Sequence, residues 1–404
     1  MLINQTFEID SCDDVELNIK RTSKLEYRIS YDDEKDIKAI VFIVGGFGAN
    51  ANISFLDFDR EYIAKNFDVV AVHVFYHCFC QRRSDVEKYS AFTMFTKDDV
   101  SNLSQALLEI GVNINVNLEN AQQCYELLNQ NITTLKSQRK LAQNYQAKFT
   151  STFIPPNGDY QNYGIMAALD HINALKDLVK RFPKLADLPK IYGGGSYGGY
   201  LALLIAKIAP WYVDGVIDNS GSALPPLNYI LGREMEHSYG DYYEDFPHNR
   251  IIFFLKTHWT RKENSPYFFN NENYFIRTLL NKDHLILQSQ KNKNIIYVSY
   301  HSDKDPLTPA NFKQQTMQIL KILGYDVSLN LIDENKIDGK FIKNLDHGCG
   351  IPDKALFRKE LPLMLEKLQG RKSFMQENSI SYPCGNKVFI FKDVGDKFEL
   401  VIKD

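Results

Sequence analysis

Apolar residues along this chain change rhythm several times, and each rhythm predicts a different kind of element. From about 1 to 36, polar and apolar residues alternate in short runs, as in Glu16-Leu-Asn-Ile and Leu25-Glu-Tyr-Arg-Ile-Ser, which predicts antiparallel edge strands. Ala39-Ile-Val-Phe-Ile-Val44 is continuously apolar and ends in Gly45-Gly46-Phe47-Gly48. A helical stretch near 56–66 separates it from a second such run, Val69-Val-Ala-Val-His-Val-Phe75. Continuous apolar strands joined through a helix are buried on both faces, so the pattern predicts a parallel sheet.

The stretch 84–157 breaks this pattern. It is polar, rich in Asn and Gln, and has no apolar strand run. At its centre, Leu118, Ala121, Tyr125, Leu128, Ile132 and Leu135 recur at spacings of three and four, a narrow apolar stripe that predicts a helical insertion packed on its own domain. Segment 117–147 is also where oligomerisation is possible. The α/β alternation resumes with a helix near 161–182, whose Ile165, Leu169, Ile172, Leu175 and Leu178 share a face and which ends at Pro183. A short strand, a glycine-rich turn, a helix over 197–209 and a strand over 213–218 follow.

A second irregular insertion, 223–290, is dense in aromatic residues such as Tyr229, Tyr239, Tyr242, Phe253, Trp259 and Phe268, and reads as a cap. Strands over 295–300 and 327–332, a helix after Pro309 and a last helix over 353–368 complete the core. The segment 371–404 reads as a β-hairpin extension about Asp393-Val-Gly-Asp396. The expected architecture is a single elaborated α/β domain, 1–404, with a mostly parallel central sheet, N-terminal antiparallel strands and two insertions.

Composition narrows the function classes. The 404 residues, 44% hydrophobic and 13% aromatic, can bury a large core without metal or disulfide support. Lys+Arg 47 against Asp+Glu 50 leaves a net charge of −3, which offers no broad attraction for nucleic acid. The cysteines at 12, 78, 80, 124, 349 and 384 are scattered and read as thiols, which fits a cytoplasmic protein. Cys78-Phe79-Cys80 with His77 has no second pair at zinc spacing, so strand-end packing is expected there and no metal. The N-terminus lacks the basic start and apolar core of a signal peptide, and no apolar run is long enough to span a bilayer.

Candidate chemistry centres on Ile191-Tyr-Gly-Gly-Gly-Ser-Tyr-Gly-Gly-Tyr200, which fits two incompatible motifs. Gly194, Ser196 and Gly198 form G-x-S-x-G, the turn that lifts a nucleophilic serine above a parallel sheet. Gly193, Gly195 and Gly198 form G-x-G-x-x-G, a dinucleotide fingerprint, with Asp218 twenty residues on where a ribose-binding carboxylate belongs. A Walker A reading fails because no Lys follows the glycines.

The two motifs make different demands on the rest of the chain. A serine nucleophile needs a base, the base needs an orienting carboxylate, and the oxyanion needs donors. Downstream of the 295–300 strand stands His301-Ser-Asp-Lys-Asp305-Pro-Leu-Thr-Pro309, and downstream of the 327–332 strand stands Leu345-Asp-His347-Gly-Cys-Gly. The order Ser, Asp, His and the strand-end placement suit the nucleophile reading. A dinucleotide fingerprint belongs in a first β-α-β unit, whereas this one follows two earlier strands and leaves Asp305 and His347 unexplained.

The acid loop resembles the H-G-x-x-D-x-x-V-P segment of α/β-hydrolase superfamily enzymes, in particular prolyl-oligopeptidase-like peptidases and related esterases. Ser302 stands for the usual glycine and Thr308 for the usual valine. Gly45-Gly46-Phe47-Gly48 resembles their H-G-F-G oxyanion loop, with Gly45 in place of the histidine. The resemblance covers about 37–80 and 160–368. It implies an α/β-hydrolase fold with Ser196 as nucleophile, His347 as base, Asp305 as its acid, and the backbone N–H groups of Phe47 and Tyr197 as oxyanion donors. No cofactor is implied.

Rival residues are Asp303 for the acid and His301 or His77 for the base; His301 reads better as a hydrogen-bonding residue of the acid loop. Arg82-Arg83 reads as solvated surface rather than an anion site. The expected function is a serine hydrolase, first an esterase on an acylated small molecule or glycan. A peptidase, an acyltransferase using the same triad, and a noncatalytic scaffold are the alternatives.

Overall fold

The computed structural model describes residues 1–47, 53–80, 86–235 and 240–404. Gly48, Arg82, Arg83 and Tyr239, singled out from the sequence, lie outside the described residues. Internal contacts divide the chain into two compact units, Met1–Gln81 with Asn162–Pro226 and Phe269–Asp404, and Arg82–Gln161 with Leu227–Phe268. The stretches read as separate insertions, 84–157 and 223–290, thus contribute to one common unit, while 269–290 belongs to the other.

The first unit is built on an eight-stranded sheet. Across it run Leu2–Asp10, Lys24–Asp32, Val69–Phe75, Ala39–Ile43, Lys190–Gly195, Gly215–Asn219, Ile296–Ser302 and Asp326–Ile332. Lys24–Asp32 is antiparallel to both its neighbours, and every later pairing is parallel. The sequence rhythms explain these places. Leu2–Asp10 alternates half-buried and exposed positions, as an edge strand must, whereas every residue of Ala39–Ile43 and Val69–Phe75 is buried, as between two helical layers.

On one face, Ile63 and Ala64 of helix Ile53–Asn66 and Leu356, Phe357, Leu361 and Met364 of helix Asp353–Lys367 share a core with Val41, Ile191, Ile217 and Val298. Helices Ile165–Arg181 and Tyr197–Ile208 pack on each other, and every residue of Tyr197–Ile208 is buried.

The C-terminal extension has one more strand than a hairpin. Ser379–Cys384, Lys387–Val394 and Lys397–Lys403 form a three-stranded antiparallel sheet. Pro383 near the end of the added strand disguises it in sequence. The sheet covers the two helices. Asn173 exchanges hydrogen bonds with the Phe398 backbone at 2.9 and 3.0 Å, and the Tyr382 hydroxyl donates to the Lys207 carbonyl at 2.6 Å.

Asp393, whose side chain is fully buried, accepts from Lys176 at 2.5 Å, Tyr212 at 2.9 Å and Trp211 at 3.2 Å. Removing one partner of such a buried pair strands the other charge in a dry site. Asp393→Ala is therefore expected to cost about 3 kcal/mol in urea unfolding, and a cost below about 1 kcal/mol would contradict this account.

The second unit has its own four-stranded sheet, in the order Phe92–Met94, Ala147–Ile154, Asn249–Leu255, Tyr242–Asp245. The helical insertion expected over 84–157 thus carries strands Phe92–Met94 and Ala147–Ile154 as well as helices. Ala147–Ile154 lacks an apolar run because Thr150 and Thr152 are buried and satisfied. Both hydroxyls donate to Asp99 of helix Lys97–Glu109, at 2.6 and 2.7 Å, and Arg233 donates to Asp99 at 2.6 Å. Helix Ala121–Ser137 buries Ala121, Leu128 and Ile132 of the expected stripe, but Leu118 precedes the helix and is exposed. Several aromatic residues of this unit pack on one another, whereas Phe92 is exposed. Phe153 stacks on Phe253 at 4.7 Å, Tyr242 lies against Phe253, and Trp259 is buried.

Candidate active site

The glycine-rich turn lies wholly in the first unit, at the carboxyl end of strand Lys190–Gly195. Ser196 has φ 55° and ψ −120°, a left-handed conformation that costs a non-glycine residue roughly 1–3 kcal/mol, and helix Tyr197–Ile208 begins at the next residue. The Ser196 amide donates to the Asn219 carbonyl at 2.7 Å, which ties the turn to the neighbouring strand. The flanking glycines have a steric cause. A Cβ on Gly194 or Gly198 would stand 2.2 or 2.1 Å from the Val44 carbonyl oxygen, and one on Gly199 would stand 2.2 Å from Oδ1 of Asp218. Asp218 itself is held by Lys313 and Ser299, each at 2.6 Å, so the carboxylate that suited a ribose is committed to a buried ion pair.

Two loops bring their side chains to this serine. Asp305 follows strand Ile296–Ser302, and His347 follows strand Asp326–Ile332. His347 Nε2 lies 2.7 Å from Ser196 Oγ, and His347 Nδ1 lies 2.8 and 3.1 Å from the two oxygens of Asp305. The structure thus joins Ser196, His347 and Asp305 in one hydrogen-bonded chain.

Asp305 is buried, which alone would raise its pKa. The His347 bond and charge and the amides of Thr308 and Leu307, which donate to Oδ1 at 2.9 Å, outweigh this and lower it to about 2. The carboxylate is therefore ionised and can only accept, so Nδ1 carries a proton, and in the neutral imidazole Nε2 is left to accept from the Ser196 hydroxyl.

Linkage gives this a measurable sign. The stabilisation from a depressed carboxylate is fully present above its ordinary pKa of 3.8 and is lost as pH falls through about 2. In urea titrations, the stability advantage of the wild type over Asp305→Asn is expected to shrink between pH 4 and pH 2. An advantage that stays constant across that window would contradict the pairing.

The rival residues are placed elsewhere. Asp303 is exposed. His301 is buried, which lowers its pKa, and its Nε2 meets the Thr308 carbonyl at 2.7 Å while standing 3.8 Å from Asp305. His77 is buried, its amide donating to Asp170 at 2.7 Å, and Cys78 and Cys80 are buried beside it. Thr308 went unremarked as a contributor because it replaces an apolar residue of the familiar pattern. Its hydroxyl donates to Asp305 Oδ2 at 2.8 Å, which valine could not do. A hydroxyl three residues after the acid is the sequence signal that was available.

Beside the turn, the Tyr76 hydroxyl contacts the carbonyls of Gly45 and Gly46 at 2.8 and 3.0 Å, and a Cβ on Gly46 would lie 3.5 Å from the Gly195 carbonyl. The Phe47 and Tyr197 rings meet edge to face at 5.7 Å. Tyr197 opens its helix, so its N–H has no partner within the helix. Among the described residues no group of three or more His, Cys, Asp or Glu is placed to hold a metal, and no helix is long and apolar enough to cross a membrane.

A serine on a left-handed strand-to-helix turn, with an acid and then a histidine after later strands of a mostly parallel eight-stranded sheet, defines the α/β-hydrolase fold. Within that class, residues 5–402 match the model of a family described as "Protein of unknown function (DUF2920)", and the chain belongs to that family. Curated proteins gave no match. Among solved structures, the chain is similar to an acylaminoacyl peptidase of Pyrococcus horikoshii, at 14% identity and a TM-score of 0.44 over 93% of this chain and 43% of that one. It thus spans less than half the length of that protein. It is also similar to esterase 2 of Thermogutta terrifontis phosphonylated by sarin, at 13% identity and a TM-score of 0.39 over 86% of this chain and 90% of that one.

Proposed function

We propose that this protein is a serine hydrolase that works through an acyl-enzyme, with Ser196 as nucleophile, His347 as general base and acid, and Asp305 as the carboxylate that orients the imidazole. The observation that carries the proposal is the pair of contacts made by one imidazole, Nε2 to Ser196 Oγ at 2.7 Å and Nδ1 to Asp305 at 2.8 Å. Nε2 takes the hydroxyl proton as Oγ bonds to the acyl carbon. Asp305 offsets the imidazolium charge, and the proton then passes to the leaving group. The backbone N–H groups of Phe47 and Tyr197 are the proposed oxyanion donors, the latter aided by the positive end of helix Tyr197–Ile208. Water completes the cycle by the same steps in reverse roles.

The proposed substrate class is a carboxylic ester of a small molecule or glycan. An ester asks least of this triad, because its alkoxide leaves with less help from the general acid than an amine does. The test is a panel of p-nitrophenyl acyl esters and aminoacyl anilides, assayed with and without an added alcohol. Turnover of esters with free acid as product supports the reading. Preferential cleavage of anilides would replace it with a peptidase, and accumulation of a new ester on adding alcohol would replace it with an acyltransferase. No turnover and no acylation of Ser196 would leave a scaffold on a hydrolase fold.

A further inference from the structure

We infer that Asn219 and Ser220 are positioning residues that hold the His347 loop at working distance from Ser196, an inference that rests on the nucleophile reading of Ser196. The need for such a device is visible in the loop itself. Gly348, Cys349 and Gly350 have φ of 83°, 55° and 64°, so successive left-handed residues follow His347 and no strand ladder can continue there. Three backbone bonds close the loop on itself, from Cys349 N–H to the Asp346 carbonyl, from Ile351 N–H to the Gly348 carbonyl and from Lys343 N–H to the Cys349 carbonyl, but none of them ties it to Ser196.

The two peptide groups flanking Gly348 also reach Asn219, the last residue of strand Gly215–Asn219, and Ser220 just after it. The Asn219 Nδ2 donates to the Gly348 carbonyl at 3.0 Å, and the Gly348 N–H donates to Ser220 Oγ at 3.1 Å. Asn219 reaches the Ile351 carbonyl as well, at 3.4 Å. The same two residues hold the other members of the triad. The Asn219 carbonyl accepts the Ser196 amide at 2.7 Å, and the Ser220 carbonyl lies 3.4 Å from the hydroxyl of Thr308 that donates to Asp305 at 2.8 Å. Two adjacent residues therefore touch the turn of the nucleophile, the support of the acid and the loop of the base.

Their own placement is over-determined. Ser220 has φ 59°, its amide donates to the Tyr300 carbonyl at 2.8 Å, and its hydroxyl lies 3.3 Å from Asn219 Oδ1. Asp218 accepts the Gly221 amide at 2.8 Å and the Lys313 ammonium at 2.6 Å, which pins the backbone on the far side. All three residues are buried. A left-handed serine survives where its surroundings compel it, and strain of this kind concentrates at functional sites.

The test uses Ser220→Gly and Asn219→Ala in the full chain, with p-nitrophenyl acetate kinetics and the thermal midpoint measured for each. Glycine adopts φ 59° without penalty, so Ser220→Gly deletes the hydroxyl while relieving strain, which keeps one variant folded even if Asn219→Ala is not. Loss of alignment by an ångström costs roughly 100-fold. The expected result is a kcat lowered roughly 10- to 100-fold with KM within about twofold and an unchanged midpoint for Ser220→Gly. A folded variant with wild-type kcat, or with a defect confined to KM, overturns the inference. A wild type that never acylates Ser196 overturns instead the reading on which it rests, and the two failures are thus told apart.

Discussion

Ser196→Ala is expected to lower kcat on short acyl esters by roughly a millionfold, to a rate supported only by substrate binding and oxyanion contacts. The alanine cannot form the covalent intermediate, and His347 is left with its Asp305 bond but nothing to deprotonate. The fold should not suffer. The left-handed turn is held by the Ser196 amide on Asn219 and by the packing of Gly194 and Gly198 on Val44, none of which involves the lost hydroxyl. Steady-state kinetics with a pre-steady-state burst check the effect, and calorimetry checks the fold. Wild-type turnover by a folded Ser196→Ala protein would move the chemistry to another residue.

Asp305→Asn is expected to lower kcat by roughly ten-thousandfold with little change in KM. The direction follows from which atoms surround each oxygen. Oδ1 accepts two backbone amides, from Leu307 and Thr308, so the amide oxygen of an asparagine is compelled to sit there. Its NH2 group then takes the place of Oδ2 and points at His347 Nδ1, 2.8 Å away. Nδ1 must accept, Nε2 must carry the proton, and the base facing Ser196 is lost. The Thr308 hydroxyl can turn to accept from the new NH2, so the protein should remain folded at neutral pH. A loss of less than tenfold would mean that Asp305 does not set the tautomer.

Much of the frame was legible because its causes are local. Ala39–Ile43 is apolar throughout, and Val69–Phe75 is apolar but for the buried His73, since both faces are covered, and Leu2–Asp10 alternates since only one is. The ambiguity of the glycine run also has a local cause. Gly193, Gly194, Gly198 and Gly199 each sit where a Cβ would strike a neighbouring backbone segment or Asp218, and only Gly195, which would meet the Asp353 carboxylate at 3.1 Å, is then needed to complete the second motif. Residues far along the chain, Asp305 and His347, separate the readings.

What escaped the sequence depends on partners distant in the chain. Ala147–Ile154 carries buried threonines that satisfy Asp99 and Arg233, an arrangement no hydrophobic rhythm announces. The additional C-terminal strand ends in Pro383-Cys384, which reads as a turn. Asn219 and Ser220 look like an ordinary polar strand end until the Gly348 loop is laid against them.

The central claim is that Ser196 is an activated nucleophile, and covalent capture tests it most directly. Purified protein treated with a fluorophosphonate, digested and analysed by mass spectrometry should carry the label on Ser196, with labelling abolished in Ser196→Ala. A folded wild-type protein that leaves Ser196 unmodified, or that is labelled equally in the Ser196→Ala variant, would contradict the account.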